Sequence, residues 1–111
     1  MTVDLNRKTA LVTGAGKKSG IGYGIARKLS AGGANVILAD LIGKETRQDT
    51  PASASMDQIA ALAADLAKTF KIKALALELD VTAGDSVAQL ADKVQQQFGQ
   101  IHILCNNAGA V

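Results

Sequence analysis

The sequence predicts an α/β fold with a doubly wound parallel sheet, and three observations predict it. Short apolar, β-friendly runs alternate with longer runs whose apolar residues recur at helical spacing, in the order β-α-β-α-β-α-β. A helix between each pair of strands requires parallel strands joined by right-handed crossovers. Five glycines crowd the stretch TGAGKKSGIGYG, from Thr13 to Gly24, between the first apolar run and the first helical pattern. Polar residues then recur where the later strands end: Asp40, Asp80 and Asn106. In such a sheet these ends share one rim, where ligands bind.

Residues 8–13 (KTALVT) form the first expected strand, stopped by glycine. From Gly20, Ile21, Ile25 and Leu29 repeat at the spacing of one helical face, and Gly32-Gly33 end that helix. Residues 35–40 (NVILAD) read as a second buried strand. Residues 41–55 (LIGKETRQDTPASAS) lack periodicity and hold the only proline, so a long loop is expected. Ser55 and Gln58 have capping-box spacing, and Ile59, Leu62, Ala63, Leu66, Ala67 and Phe70 then share a helical face. Residues 73–81 (KALALELDV) form the third expected strand. Thr82 and Asp85 suggest the next cap, and Val87, Leu90, Ala91, Val94 and Phe98 form a stripe that Gly99 stops. Residues 101–105 form the fourth strand and run into Asn106-Asn107-Ala108-Gly109. The helical stripes are read as core.

With 111 residues the chain has the size of one domain, and a net charge of +2 gives no case for a nucleic-acid partner. The basic residues near the N-terminus (Arg7, Lys8, Lys17, Lys18, Arg27, Lys28) read as solvated ends of helices and loops. The single cysteine, Cys105, permits no internal disulfide and sits in a strand pattern as a small core residue. His102, the only histidine, reads as a strand residue without a catalytic role. MTVDLNRK lacks the apolar stretch of a signal peptide and no run approaches a membrane span, so a cytoplasmic location is expected.

The glycine stretch meets neither generic phosphate motif. Gly14 and Gly16 are followed by Ser19 where G-x-G-x-x-G needs glycine, and the same serine breaks G-x-x-x-x-G-K-[ST]. The physics of a glycine turn before a helix remains. Gly14 permits a tight exit from the strand, while Gly20 and Gly22 allow backbone to approach a pyrophosphate at the positive end of a helix. Asp40 lies about 20 residues beyond Gly20, the spacing of the acid that accepts hydrogen bonds from an adenosine ribose. A carboxylate there would repel the 2′-phosphate of NADP, so NAD is the expected cofactor. Lys17 and Lys18 leave NADP open, although Ser19, not a base, directly precedes Gly20.

TGAGKKSGIGYGIA, Asp80-Val81 and Asn106-Asn107-Ala108-Gly109 together resemble three motifs of the short-chain dehydrogenase/reductase family, in the family's order. The resemblance covers essentially the whole chain and implies a Rossmann-like sheet, of which this chain has the first four strands. It differs in the turn: Thr13-Gly14 and Gly20-Ile21-Gly22 stand two residues farther apart than is common in the family. That longer gap resembles enoyl-acyl-carrier-protein reductases, which usually carry Ser and Ala in place of Gly20 and Gly22. The stretch therefore reads as an ordinary dehydrogenase turn with an inserted Lys17-Lys18 bulge.

The resemblance implies an NAD(P)-dependent oxidoreductase that transfers hydride between an alcohol and a carbonyl. Its implied cofactor residues are Gly14, Gly16, Ser19, Gly20, Ile21, Gly22, Asp40, Asp80, Val81, Asn106, Ala108 and Gly109. Asp80 and Val81 would border the adenine. Asn106, Ala108 and Gly109 would lie along the ribose near the nicotinamide, and Asn107 would tie strands together. The family's Tyr-x-x-x-Lys pair is not found, because the one tyrosine, Tyr23, lies in the glycine stretch with Arg27 four residues later. Residues 1–111 are thus expected to be the N-terminal, cofactor-binding part of a longer single-domain enzyme, itself a homo-oligomer. The alternative is a non-catalytic dinucleotide-binding module.

Overall fold

The computed structural model describes residues 4–16, 20–40, 56–79 and 84–106. Four strands and three helices alternate: β1 (Thr9–Thr13), α1 (Ile21–Ala31), β2 (Asn35–Asp40), α2 (Met56–Phe70), β3 (Ala74–Glu78), α3 (Gly84–Phe98) and β4 (Ile103–Cys105). The strands form one parallel sheet in the order β3-β2-β1-β4. The expected α/β class, element order and doubly wound sheet are all present.

The crossover rule explains the layers. From β1 the chain steps outward to β2 and β3, then returns past both to place β4 on the far side of β1. Right-handed connections put the helices of the outward steps on one face and that of the return step on the other. One core cluster accordingly joins Ala10, Val12, Val36, Leu38 and Ala76 of the sheet to Tyr23 and Ala26 of α1 and Ile59, Ala63 and Leu66 of α2. The opposite cluster joins Leu11, Ile37, Ala39, Leu77 and Leu79 to Leu90 and Val94 of α3. Alternate residues of β1 and β2 thus serve opposite cores, and for this reason both strands read as unbroken apolar runs.

The strands are shorter than expected. β1 starts at Thr9, β3 covers residues 74–78, and β4 starts at Ile103. His102 accounts for the late start of β4. Its N–H donates to the Thr9 carbonyl at 2.9 Å, while its ring Nδ1 accepts from the Thr9 N–H at 3.0 Å. A side chain takes the place of the backbone acceptor that a longer strand would supply.

Two helical faces are rotated from the expected ones. In α1 the buried residues are Gly22, Tyr23, Ala26 and Ser30, while Ile25 and Leu29 flank the core and Ile21 is 76% exposed. Chain entry from the glycine turn puts Ile21 on the rim, and the small Gly22 and Ala26 let the helix sit close to the sheet. In α3 only Leu90 and Val94 are buried, with Phe98 packed beside them. Val87 and Ala91 were expected in that core and are exposed. The stripe of α2 behaves as expected: Ile59, Ala63 and Leu66 are buried and Leu62 and Phe70 pack against them. The cap residues Ser55 and Thr82 and the 41–55 loop lie outside the described residues.

α1 ends where Gly32-Gly33 suggested. The Gly33 N–H donates to the Ser30 carbonyl at 2.9 Å and the Ala34 N–H to the Leu29 carbonyl at 3.1 Å. These bonds, with Gly33 at φ +99°, make a Schellman motif that satisfies the last carbonyls of the helix. A methyl group at Gly33 would also collide with Oδ1 of Asn6. Gly33→Ala is therefore expected to lower stability by about 1–3 kcal/mol. Gly24→Ala, at an exposed helical site with open space around its Cβ, should raise it by about 0.5–1 kcal/mol. Urea midpoints of both variants check the pair, and equal losses would contradict the assignment.

Candidate functional site

At the carboxyl end of β1 the chain turns sharply. Gly14 has φ +67°, a conformation that disfavours any side chain. The next two amides both face β2. The Ala15 N–H donates to the Ala39 carbonyl at 3.3 Å, extending the ladder past Thr13. The Gly16 N–H donates to Oδ2 of Asp40 at 2.7 Å, in a part-buried position. Asp40 is itself fixed, since it pairs in register with Glu78 of β3 and its carbonyl accepts the Leu79 N–H at 2.9 Å.

Gly20, with an extended backbone (φ −84°, ψ 159°), leads into α1. Among the described residues no side chain caps this helix, and its first turn contains no acid. Serine, aspartate or a capping-box glutamate would ordinarily satisfy some of the first four N–H groups. The positive end of the α1 dipole is thus placed at the rim, with no compensating side chain among the described residues.

On its other side, the turn is joined to β4. The Thr13 hydroxyl lies 3.4 Å from both the Cys105 carbonyl oxygen and Oδ1 of Asn106. It bridges the carboxyl ends of β1 and β4, where the strand order reverses direction. That reversal opens the crevice in which doubly wound sheets hold their ligands.

Of the expected site residues, the structure brings Gly14, Gly16, Gly20, Ile21, Gly22, Asp40 and Asn106 to this one rim. Ser19, Asp80, Val81, Ala108 and Gly109 lie outside the described residues, as do Lys17 and Lys18. Thr13 is the residue that the sequence reading missed as a bridge. The available signal was its hydroxyl at the end of an otherwise apolar strand. Cys105 is a free, half-buried thiol packed against the α1–α2 core, which fits its reading as a small core residue.

The donor set suits a diphosphate. Glycines at 14 and 16 precede a helix whose start, among the described residues, carries no side-chain cap or acid, so its first N–H groups and its dipole are placed at this rim. The carboxylate of Asp40 stands on the β2 side of the rim, where its acceptor oxygens suit hydroxyl groups and repel a second anion. Among the described residues, no group of three or more His, Cys, Asp or Glu could hold a metal ion, and no helix is long and apolar enough to cross a membrane.

Comparison with known proteins agrees with this geometry. The family model described as enoyl-(acyl carrier protein) reductase matches residues 14–111. The chain belongs to the short-chain dehydrogenase/reductase family. Among similar members is a 12alpha-hydroxysteroid dehydrogenase of Clostridium sp., 35% identical over 107 residues, a match covering 93% of this chain and 36% of that enzyme. Solved structures align closely too. L-sorbose reductase from Gluconobacter frateurii, complexed with NADPH and L-sorbose, gives a TM-score of 0.80 at 28% identity over 99% of this chain and 36% of that one. Carveol dehydrogenase from Mycobacterium avium, in complex with NAD, gives 0.80 at 27% identity over 98% and 38%. The chain thus spans well under half the length of these relatives.

Short-chain dehydrogenases use a tyrosine acid/base, and Tyr23 does not fit that task. It sits in the first turn of α1, is only 3% exposed, and packs in the core between α1, α2 and the sheet. Its hydroxyl is buried and has no hydrogen-bond partner among the described residues. An unpaired buried hydroxyl weakens the fold, so Tyr23→Phe should leave stability unchanged or raise it by about 1–2 kcal/mol. Thermal unfolding of the variant checks this. A loss of 1 kcal/mol or more would show that the hydroxyl has a partner.

Proposed function

We propose that residues 1–111 form the dinucleotide-binding part of an NAD(P)-dependent oxidoreductase that interconverts an alcohol and a carbonyl, with NAD preferred. The observation that carries this reading is the rim itself. A helix start with no side-chain cap among the described residues, a left-handed glycine and a strand-end carboxylate meet at the sheet's switch point. Membership of the short-chain dehydrogenase/reductase family supports it, as do relatives solved with NADPH and with NAD.

In this proposal the turn from Gly14 through Gly16, Ser19, Gly20, Ile21 and Gly22 seats the diphosphate. Backbone N–H groups donate to its oxygens, and the α1 dipole favours its charge. The carboxylate of Asp40 accepts from the adenosine ribose hydroxyls and disfavours a 2′-phosphate. Asp80 and Val81 border the adenine, and Asn106, Ala108 and Gly109 line the ribose nearest the nicotinamide. When bound, the cofactor supplies a two-electron hydride donor or acceptor. The chain's own residues bind and orient it, and the groups that act on a small-molecule alcohol or carbonyl lie elsewhere in the whole enzyme. That enzyme is a homo-oligomer of the cytoplasm in the same proposal.

Calorimetric titration with NAD and NADP tests the reading. The protein is expected to bind both, NAD more tightly. Asp40→Ala should weaken NAD about 5- to 30-fold, the equivalent of about 1–2 kcal/mol, and narrow the gap to NADP. Unchanged NAD affinity in that variant would overturn the assignment of Asp40, and binding of neither dinucleotide would overturn the function.

A further inference from the structure

Asp40 accepts a hydrogen bond from the backbone of the glycine turn at Gly16. Two consecutive amides beyond the left-handed Gly14 are fastened to β2. Ala15, fully buried, bonds to a backbone carbonyl at 3.3 Å, and Gly16 bonds to the Asp40 carboxylate at 2.7 Å. The second bond is the shorter one and is charge-assisted, the stronger class of hydrogen bond. Its acceptor is rigid, because the Asp40 backbone is paired to β3 on its outer side. Gly16 otherwise has the widest backbone freedom of any residue type, so this contact restricts the conformations open to it.

We propose that Asp40 is a positioning residue for the diphosphate turn, acting through the Gly16 N–H as well as on the adenosine ribose. This rests on the dinucleotide reading given above and adds a second route by which the residue affects affinity. Ordering the turn in advance removes a conformational cost from binding, whichever dinucleotide arrives. Cofactor preference and turn geometry are then coupled through one carboxylate. Removing the side chain relieves repulsion of a 2′-phosphate but also releases the turn. Asparagine at this position relieves the charge and keeps an acceptor for the Gly16 N–H.

The test separates the two routes with a ligand that lacks one of them. The protein, in full, and its Asp40→Ala and Asp40→Asn variants are titrated with NAD and with the NAD analogue carrying a 2′,3′-dideoxyadenosine. A group acting only on the ribose hydroxyls has no effect on the analogue. The expected result is that Asp40→Ala weakens the analogue about 5- to 10-fold, while Asp40→Asn stays within about twofold of the parent. NADP should bind more tightly to Asp40→Asn than to Asp40→Ala. In the nucleotide-free protein, hydrogen exchange at the Gly16 amide should speed up about tenfold or more in Asp40→Ala and little in Asp40→Asn. Unchanged affinity of Asp40→Ala for the analogue, with NAD still bound by the parent, overturns the positioning role alone. Unchanged Gly16 exchange in Asp40→Ala overturns it as well. Failure of the parent to bind any dinucleotide overturns the functional reading and this role with it.

Discussion

The handedness of the β-α-β crossover is the constraint on which this structure depends. Parallel strands joined by helices must be connected right-handed, so the direction of each step selects the face that its helix covers. Two outward steps place α1 and α2 together, and one return step places α3 opposite them. The return step also leaves β1 central, bonded to β2 on one side and β4 on the other. Between β1 and β4 the strand order reverses, and in doubly wound sheets a crevice opens at such a point without any side chain having to create it. The glycine turn lies at that crevice because it follows β1, the strand that borders the reversal.

The rim is built from local features fixed to this frame. Thr13 bridges to Cys105 and Asn106 across the β1–β4 gap, and Gly16 is tied to Asp40 across the β1–β2 gap. The turn is therefore clamped from both neighbouring strands. Farther away, Ser30 donates back to the Ala26 carbonyl at 2.8 Å, which satisfies a buried hydroxyl within α1. Lys73, at the start of β3, places its ammonium 2.8 Å from the Gln97 carbonyl and over the Phe98 ring. It supplies the cation that the last turn of α3 lacks. These contacts set helix ends and strand starts, and the sheet carries the result to the rim.

Element type and order were legible in the sequence because hydrophobic period and glycine punctuation are local properties. Residues 35–40 and the stripe of α2 appear almost as read. The phase of α1 was not legible. Ile21, Ile25 and Leu29 form a plausible apolar face, but burial of Gly22 and Ala26 depends on how closely the helix approaches the sheet, which is a tertiary property. Val87 and Ala91 fail for a related reason: α3 contacts the sheet only along Leu90, Val94 and Phe98. The β4 boundary was hidden because the His102 ring replaces a backbone acceptor, a substitution that no propensity scale encodes. Site residues at strand ends were legible because topology alone places them. The Thr13 bridge and the Gly16–Asp40 bond were not, since they depend on ångström-scale register between strands.

The same distinction bears on the failed motif matches. Gly-x-Gly-x-x-Gly encodes one particular spacing between strand exit and helix entry, and here that spacing is longer. The physical requirements behind the motif are nevertheless separable: a left-handed exit at Gly14, an extended entry at Gly20, and a helix start with no cap or acid among the described residues. Each is met, and none depends on the number of residues between them. Within this longer turn, the Asp40 carboxylate fastens Gly16 to the adjacent strand. In the proposed reading, Asp40 shapes the turn that would receive a diphosphate and, from the same position, selects among the nucleotides that carry one.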